Sequence, residues 1–266
     1  MFDYHIHSDF SADCETPMEK TIEKAIEIGL KEICFTDHLD YDYPDKDWVF
    51  EFDATSYDEK IKAVQEKYKQ DIIIKKGVEI GLQPHLLKRY EILLEEESFD
   101  FVICSLHATE GKDLHSGEFF KGKTVEEAYD IYYKELLQCI MGFNHYSVLG
   151  HLDLVKRYTE EKSKLDFHDI IEEIFQVIIP RGKGIEVNTS GYRYGLGSAM
   201  PSIDILKLYK DCGGEIVTLG SDSHSENTLA AQFPAAISAL KEAGFEYVAT
   251  FTAGEPEFHP IDRLRL

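Results

Sequence analysis

Six short polar motifs, each placed after a short apolar run, contain the residues of this chain best suited to chemistry. They are rich in histidine and carboxylate: His5-Ile6-His7, Thr36-Asp37-His38, Val78-Glu79, Ser105-Leu106-His107, Gly150-His151-Leu152-Asp153 and Ser221-Asp222-Ser223-His224. Imidazole and carboxylate are donors that divalent transition metals take in proteins. Because the motifs are spread over nearly the whole chain, the sequence predicts a multimetal hydrolytic site assembled from several strand ends.

The spacing within the motifs supports one shared site. His5 and His7 alternate along an apparent strand, as do Asp222 and His224, so the members of each pair project to the same face. Glu79 ends an apolar run, and a buried carboxylate needs a partner or a metal, which makes it a natural bridging ligand. One such histidine is usually an ordinary hydrogen-bonded core or loop residue. The repetition of the pattern in strand order is what favours metal binding.

Strand-like and helix-like stretches alternate along the chain and would position these motifs. The predicted strands cover residues 2–6, 32–36, 72–80, 99–105, 147–150, 184–188 and 215–220, with a further strand at 247–252. The predicted helices cover residues 16–28, 56–69, 84–95, 124–139, 166–181, 202–212 and 227–244. Strict alternation predicts a parallel sheet. A barrel brings all the strand ends together, whereas a doubly wound open sheet gathers its ligand at one switch point, so we expect an α/β barrel.

Three of the predicted helices begin with a capping pattern. A hydroxyl residue stands three positions before a glutamate at Thr16, Ser56 and Thr124. In such a capping box the hydroxyl accepts a backbone N–H and the glutamate reaches back to the cap. We therefore expect these three residues to be N-caps.

Composition restricts the class of protein. The chain has 266 residues and a formal net charge of −22, a field that disfavours nucleic-acid binding. It has neither an apolar run of about 20 residues nor a signal-peptide pattern at the start, so no membrane partner is expected. Its five cysteines show no CxxC spacing, which favours reduced thiols and a cytoplasmic location. No linker is apparent, and we expect a single domain over residues 1–266.

The arrangement resembles the PHP (polymerase and histidinol phosphatase) superfamily over essentially the full chain. It is most similar to the monofunctional histidinol-phosphate phosphatases of that superfamily. Beyond the ligands, the likeness rests on Phe35-Thr36-Asp37-His38, Gly77-Val78-Glu79, the segment 150–158 and the segment 186–191. It implies a distorted (β/α)7 TIM-like barrel with up to three divalent ions, zinc, manganese or iron, at the carboxyl ends of the strands. It also implies hydrolysis of L-histidinol phosphate to L-histidinol and phosphate in histidine biosynthesis.

The resemblance implies three metal positions, with one residue shared between two of them. The first would be held by His5, His7, Glu79 and Asp222, the second by Glu79, His107 and His151, and the third by Asp13, His38 and His224. Asp9 competes with Asp13, because some relatives carry a histidine where this chain has Asp13. An oxygen ligand there would favour manganese or iron over zinc.

The same pattern implies how the reaction would run. A hydroxide that bridges the metals beside Glu79 is the expected nucleophile. The leaving group would take its proton from a metal-bound water, His38 or His224. Arg157 and Arg193 lie in loops at the catalytic end, and the guanidinium fork suits phosphate oxygens.

Four further residues have weaker expected roles. Tyr158 and His115 are candidates for substrate contact, and Asp37 and Asp153 are expected to orient ligand histidines. The expected partner is a small phosphate monoester, and oligomeric state is not readable from the sequence. Two other interpretations stay open: a PHP-type phosphoesterase acting on another monoester, nucleotide or diester, and a non-catalytic metal-binding or polymerase-associated scaffold module.

Overall fold

The computed structural model describes residues 1–159 and 161–265. Seven strands form its central sheet, and a helix follows each of them. The strands are β1 Phe2–Ile6, β2 Glu32–Phe35, β3 Ile73–Gly81, β4 Phe101–Ser105, β5 Val148–Leu149, β6 Gly184–Asn188 and β7 Val217–Gly220. The helices are α1 Met18–Glu27, α2 Ala54–Tyr68, α3 Leu87–Glu96, α4 Val125–Gly142, α5 His168–Ile178, α6 Ile203–Asp211 and α7 Phe233–Glu242.

The seven strands pair in chain order, and every pair is parallel. A short piece, His38–Leu39, adds to the carboxyl half of β3. The ends of the sheet meet where Ile6 forms a parallel bridge with Ser223 and the His7 amide donates to the Ser223 carbonyl at 2.9 Å. The sheet is thus a nearly closed barrel of seven strands, as the alternation in the sequence predicted.

The amphipathic helices bury their apolar stripes against the outside of the strands. In α5, Ile171, Ile174, Phe175 and Ile178 are all buried, which is the spacing of one helical face. They join a core that extends around the barrel. This packing fixes the strand ends, and therefore the loops that follow them.

A hairpin closes the amino-terminal end of the barrel. Its strands are β8 Tyr247–Thr252 and β9 Glu255–Pro260, paired antiparallel. The amide of Gly254 in its turn donates to the carbonyl of Asp100, the residue just before β4. Phe251 packs with Tyr4 and Phe101 in a small buried cluster. The strand at 247–252 was predicted, whereas β9, which contains two prolines, was not.

Two of the three predicted caps are wrong. Thr124 and Glu127 form the capping box of α4 as expected. The first helix, however, begins at Met18, and the Thr16 hydroxyl donates to the His224 carbonyl at 3.2 Å. At α2 the cap is Asp53, which accepts from the Ser56 amide at 2.8 Å, because α2 begins two residues before Ser56.

All five cysteines are free thiols, four of them buried, which agrees with the prediction of reduced cysteines. Within the described ranges, no helix combines the length and the apolar character needed to cross a bilayer.

Candidate metal centre

Glu79 lies at the centre of the site. It is fully buried near the carboxyl end of β3, and imidazole nitrogens approach both of its oxygens. Its Oε2 lies 3.1 Å from His5 Nε2 and 3.1 Å from His38 Nδ1. Its Oε1 lies 3.0 Å from His151 Nε2 and 3.3 Å from His107 Nε2. This carboxylate therefore stands between two groups of histidines, where a bridging ligand would be.

Asp222 extends the group around His5 and His7. The two histidine Nε2 atoms are 3.1 Å apart, and Asp222 Oδ1 lies 3.8 Å from the first and 3.5 Å from the second. His5 and His7 come from the end of β1, and Asp222 follows β7 with a positive φ of 53°. The seam of the barrel thus brings the first and last motifs of the sequence together.

A third group lies on the outer side of the cluster. Asp13 Oδ2 lies 3.2 Å from His224 Nε2 and 3.7 Å from His38 Nε2. The His7 ring stacks between those two histidines, with ring-centroid distances of 4.1 Å to His224 and 4.2 Å to His38. Asp9 and Asp13 are both exposed, but of the two only Asp13 lies within 4 Å of a cluster histidine among the described residues, so the geometry favours Asp13 for this group.

Three of the cluster histidines have their Nδ1 atom fixed by a side chain, and a fourth, His224, has its Nδ1 3.2 Å from the backbone carbonyl of Asp222. His5 Nδ1 lies 2.6 Å from Glu186 and His107 Nδ1 lies 2.5 Å from Asp40, and each carboxylate can only accept. His7 Nδ1 lies 3.0 Å from the Ser11 hydroxyl. With the proton on Nδ1, each neutral ring directs the Nε2 lone pair into the cluster.

The donor set fits divalent metal ions. Nε2 lone pairs and carboxylate oxygens face one another at short distances, an arrangement that is repulsive unless a proton or a cation lies among them. Two of these contacts, His38 Nδ1 with Glu79 at 3.1 Å and His224 Nε2 with Asp13 at 3.2 Å, are close but lack hydrogen-bond geometry, so neither buried nitrogen has a hydrogen-bond partner among the described residues. Four sets of three side chains bring ligand atoms within 4.8 Å of one another: His5–His7–Asp222, His5–Glu79–His151, His38–Glu79–His107 and His7–His38–His224.

Without a bound cation, protons on the histidines would compensate the buried carboxylates of this cluster. Burial alone would raise the pKa of Glu79, but His5, His107 and His38 hold it well below its usual range. Burial alone would lower the pKa of His5 and of His107, yet the carboxylates beside each ring hold both values well above the usual histidine range. Metal ions would have to displace these protons.

His7 and His38 behave in the opposite way. Burial, together with the charge of a neighbouring histidine, lowers the pKa of each to about 4. Both rings are therefore neutral at pH 7 and ready to donate a lone pair.

A cavity of about 410 Å³ opens beside the cluster. Its wall includes all four predicted substrate-binding residues, Arg157, Arg193, Tyr158 and His115. The Arg157 guanidinium stacks 3.3 Å from the centre of the Tyr194 ring, and its Nη1 lies 3.4 Å from Asp222 Oδ2. The cavity is therefore lined by cations next to the carboxylate and imidazole cluster.

Arg193 is already bonded to the chain. Its Nη1 donates to the Ser221 carbonyl and its Nη2 to the Asp222 carbonyl, each at 2.7 Å. It fixes the loop that presents Asp222, and one hydrogen on each of these nitrogens is not used by these bonds.

Residues 3–190 match the model of the PHP domain family, which is about 70% of the chain. This chain belongs to the PHP domain family. A curated relative, the histidinol-phosphatase of Lactococcus lactis, is 35% identical over 255 residues, 94% of each chain. The probable histidinol-phosphatase of Clostridium acetobutylicum is 30% identical over 257 residues, 93% of this chain and 96% of that protein.

Solved structures agree with the PHP domain assignment. The histidinol phosphate phosphatase of Lactococcus lactis, solved in complex with zinc, L-histidinol and phosphate, matches with a TM-score of 0.88 and 33% identity, covering 96% of this chain and 98% of that one. The putative histidinol phosphatase of Listeria monocytogenes matches with a TM-score of 0.77 at 22% identity, which shows the shared fold. The resemblance and the barrel expected from the sequence are both confirmed.

Two carboxylates of this PHP domain were given no role by the sequence. Asp40 contacts His107 Nδ1, and Glu186 contacts His5 Nδ1 while its other oxygen accepts the His151 amide at 2.8 Å. Glu186 lies in one of the motifs that carry the family resemblance, and Asp40 stands two residues after His38. Buried carboxylates next to ligand motifs were the signal that could have found both.

Of the two aspartates expected to orient histidines, Asp37 is linked to a histidine and, within the part of the chain that the structure describes, Asp153 is not. Asp37 acts through Ser11, whose hydroxyl donates to Asp37 Oδ1 at 2.9 Å and contacts His7. Asp153 contacts no histidine in the described residues; it accepts from the Ser202 amide at 3.2 Å and from Lys156 at 2.9 Å. The prediction for Asp153 is wrong because the turn after β5 directs it towards the start of α6.

Proposed function

We propose that this protein is a metal-dependent phosphatase that hydrolyses L-histidinol phosphate to L-histidinol and phosphate. One observation carries the proposal: the cluster of histidines and carboxylates lies in a barrel that matches, with a TM-score of 0.88, a phosphatase bound to zinc, L-histidinol and phosphate. The cavity beside the cluster has cations for a phosphate and enough volume for a small monoester.

The proposed metal sites follow the three groups of side chains. His5, His7, Glu79 and Asp222 would hold one ion; Glu79, His107 and His151 a second; and Asp13, His38 and His224 a third. Zinc is the ion in the Lactococcus relative, while the oxygen donor Asp13 would also suit manganese or iron. Bound ions of this kind lower the pKa of water and offset the negative charge of a phosphate.

Arg157 is assigned as the main phosphate-binding residue. Its Nη1 contacts Asp222 at 3.4 Å, longer than an ideal ion pair, and its buried Nε has no partner in the described residues. The guanidinium therefore has N–H groups free to form charge-assisted hydrogen bonds with phosphate oxygens. Arg193 can add a second contact while it holds the Asp222 loop.

The proton for the leaving alkoxide is assigned to His224 in a form of the site in which His224 does not ligate the third ion. Burial alone would lower its pKa, but Asp13 and Asp222 raise it, so the protonated fraction of this ring at pH 7 exceeds that of a free imidazole. His38, the other candidate, has a pKa of about 4 and is neutral there. A general acid has to be protonated at the working pH.

The whole chain is proposed to be one catalytic domain, residues 1–266, with a small phosphate monoester as its partner. The test is kcat/KM for L-histidinol phosphate against a panel of other monoesters, nucleotides and a diester, with enzyme loaded with zinc, manganese or iron. A preference of several orders of magnitude for L-histidinol phosphate is the expected result. Comparable slow turnover of all substrates would overturn the substrate assignment. In either case, a metal-dependent mechanism requires that a chelator abolishes turnover.

A further inference from the structure

Asp113 is a buried carboxylate in the wall of the cavity, outside the metal cluster. It is 4% exposed and lies in the segment that follows β4. It accepts from the Tyr43 hydroxyl at 2.6 Å, from the His115 amide at 2.9 Å and from the Ser116 amide at 2.6 Å. All three donors are neutral.

No cationic side chain of the described residues compensates this carboxylate. Among residues 1–159 and 161–265, no lysine, arginine or histidine nitrogen lies within 4 Å of Asp113. Burial alone would raise its pKa, but the hydrogen bonds from Tyr43 and Ser116 lower it, so the group stays ionised. A buried, ionised carboxylate without a counter-ion is costly unless a ligand supplies the positive charge.

The neighbours of Asp113 suit an organic cation. The Tyr43 ring lies 4.8 Å from the Phe50 ring, and Phe50 lies 5.1 Å from the metal-cluster residue His38. On the other side, Tyr158 lies 5.9 Å from the His115 ring and 5.3 Å from the Arg157 guanidinium. Asp113 is thus hydrogen-bonded to Tyr43, whose ring packs on Phe50 next to His38, and to the backbone of His115, whose ring lies near Tyr158 and so near Arg157. Aromatic faces also attract cations.

We propose that Asp113, held in place by Tyr43, binds the ammonium group of the substrate and so selects phosphate esters of amino alcohols. The inference rests on the proposed function and names the residue that recognises the alcohol half. A site built around a buried charge rejects analogues that lack the matching group, because the charge is then left unpaired. Asp113 is therefore a specificity-determining residue, and the arginines and metals serve any monoester.

The test compares two substrates in the metal-loaded enzyme: L-histidinol phosphate, which carries the ammonium group, and 4-nitrophenyl phosphate, which does not. In Asp113→Asn, the ratio of the two kcat/KM values is expected to fall by about 10- to 100-fold, the range for one lost charge-assisted hydrogen bond. Inhibition by L-histidinol should weaken, and inhibition by inorganic phosphate should not. The control is Asp47→Asn, an exposed aspartate on the loop that carries Tyr43.

Tyr43→Phe is a second test in case Asp113→Asn does not fold, because it keeps the Asp113 carboxylate and its hydrogen bonds from the His115 and Ser116 amides. It should shift the ratio in the same direction by a smaller factor. A ratio in Asp113→Asn within twofold of the parent, or equal weakening of both product inhibitors, would overturn the inference. If Asp113→Asn does not fold, an unchanged ratio of the two kcat/KM values in Tyr43→Phe would overturn the inference. A parent enzyme without preference for L-histidinol phosphate would instead refute the proposed function.

Discussion

Replacing Glu186 by glutamine tests how the buried carboxylates hold the metal ligands. Glu186 is 1% exposed, and both of its oxygens act as acceptors. One faces His5 Nδ1 at 2.6 Å. The other accepts from the backbone amide of His151 at 2.8 Å and from the side-chain amide of Asn188 at 3.1 Å. Glutamine has the same shape but only one acceptor oxygen.

Either orientation of the glutamine amide breaks part of this network. If its oxygen faces His5, its NH2 group faces two other donors. If its NH2 group faces His5, it forces the proton of that ring onto Nε2, the atom that would bind metal. Changes to such partners typically cost about 10- to 100-fold in metal affinity, or about 1.4–2.8 kcal/mol.

The assay is competition for zinc against a chromophoric chelator, with circular dichroism to confirm folding. Glu186→Gln should bind its tightest zinc about 10- to 100-fold more weakly, and excess metal should restore much of the turnover. Glu173→Gln, an exposed position on α5, serves as the matched control. Zinc affinity equal to that of the parent would refute the view that Glu186 sets the protonation and orientation of His5.

Three further predictions concern the cluster and the phosphate. Glu79→Ala should lose metal from two positions and abolish turnover, because this carboxylate contacts both histidine groups; full metal content by elemental analysis would contradict its bridging role. Arg157→Ala should raise KM for L-histidinol phosphate by about tenfold or more, the value of one lost charge-assisted bond, with a smaller change in kcat, and unchanged kinetics would remove its phosphate assignment. Zinc binding to metal-free protein at pH 7 should release protons, because the raised pKa values of His5 and His107 keep both rings protonated until metal displaces the protons. Zinc affinity should therefore rise with pH. Calorimetric binding heats that do not depend on the ionisation enthalpy of the buffer would contradict this prediction.

Much of the site could be predicted from the sequence because parallel strands in a barrel all end on one side. Once β1, β3, β4 and β7 were placed, motifs at their ends had to converge, and the structure brings His5, Glu79, His107 and Asp222 together. The predicted bounds of β1 and β6 agree with the structure, in which these strands are Phe2–Ile6 and Gly184–Asn188.

The errors arose where tertiary contacts override a local pattern. Thr16 fits a helix cap by sequence, but its hydroxyl bonds instead to the His224 carbonyl, 208 residues away. Asp153 follows a ligand histidine, yet turn geometry directs it to Ser202. The roles of Asp40 and Glu186 depend on which ring nitrogen they face, which sequence spacing does not determine.

With the ligands proposed above, the seam of the barrel would restrict when a newly made chain can acquire metal. Asp3 accepts the amide of Ser221, 218 residues later, and the ligands on the two sides of this seam come from the first and last barrel strands. A nascent chain that has passed the ribosome exit only as far as β6 already carries His5, Glu79 and His151 but lacks Asp222 and His224. Under the proposed ligand assignment, complete metal loading would therefore be a late event of biosynthesis, coupled to ring closure rather than to the emergence of the first histidines.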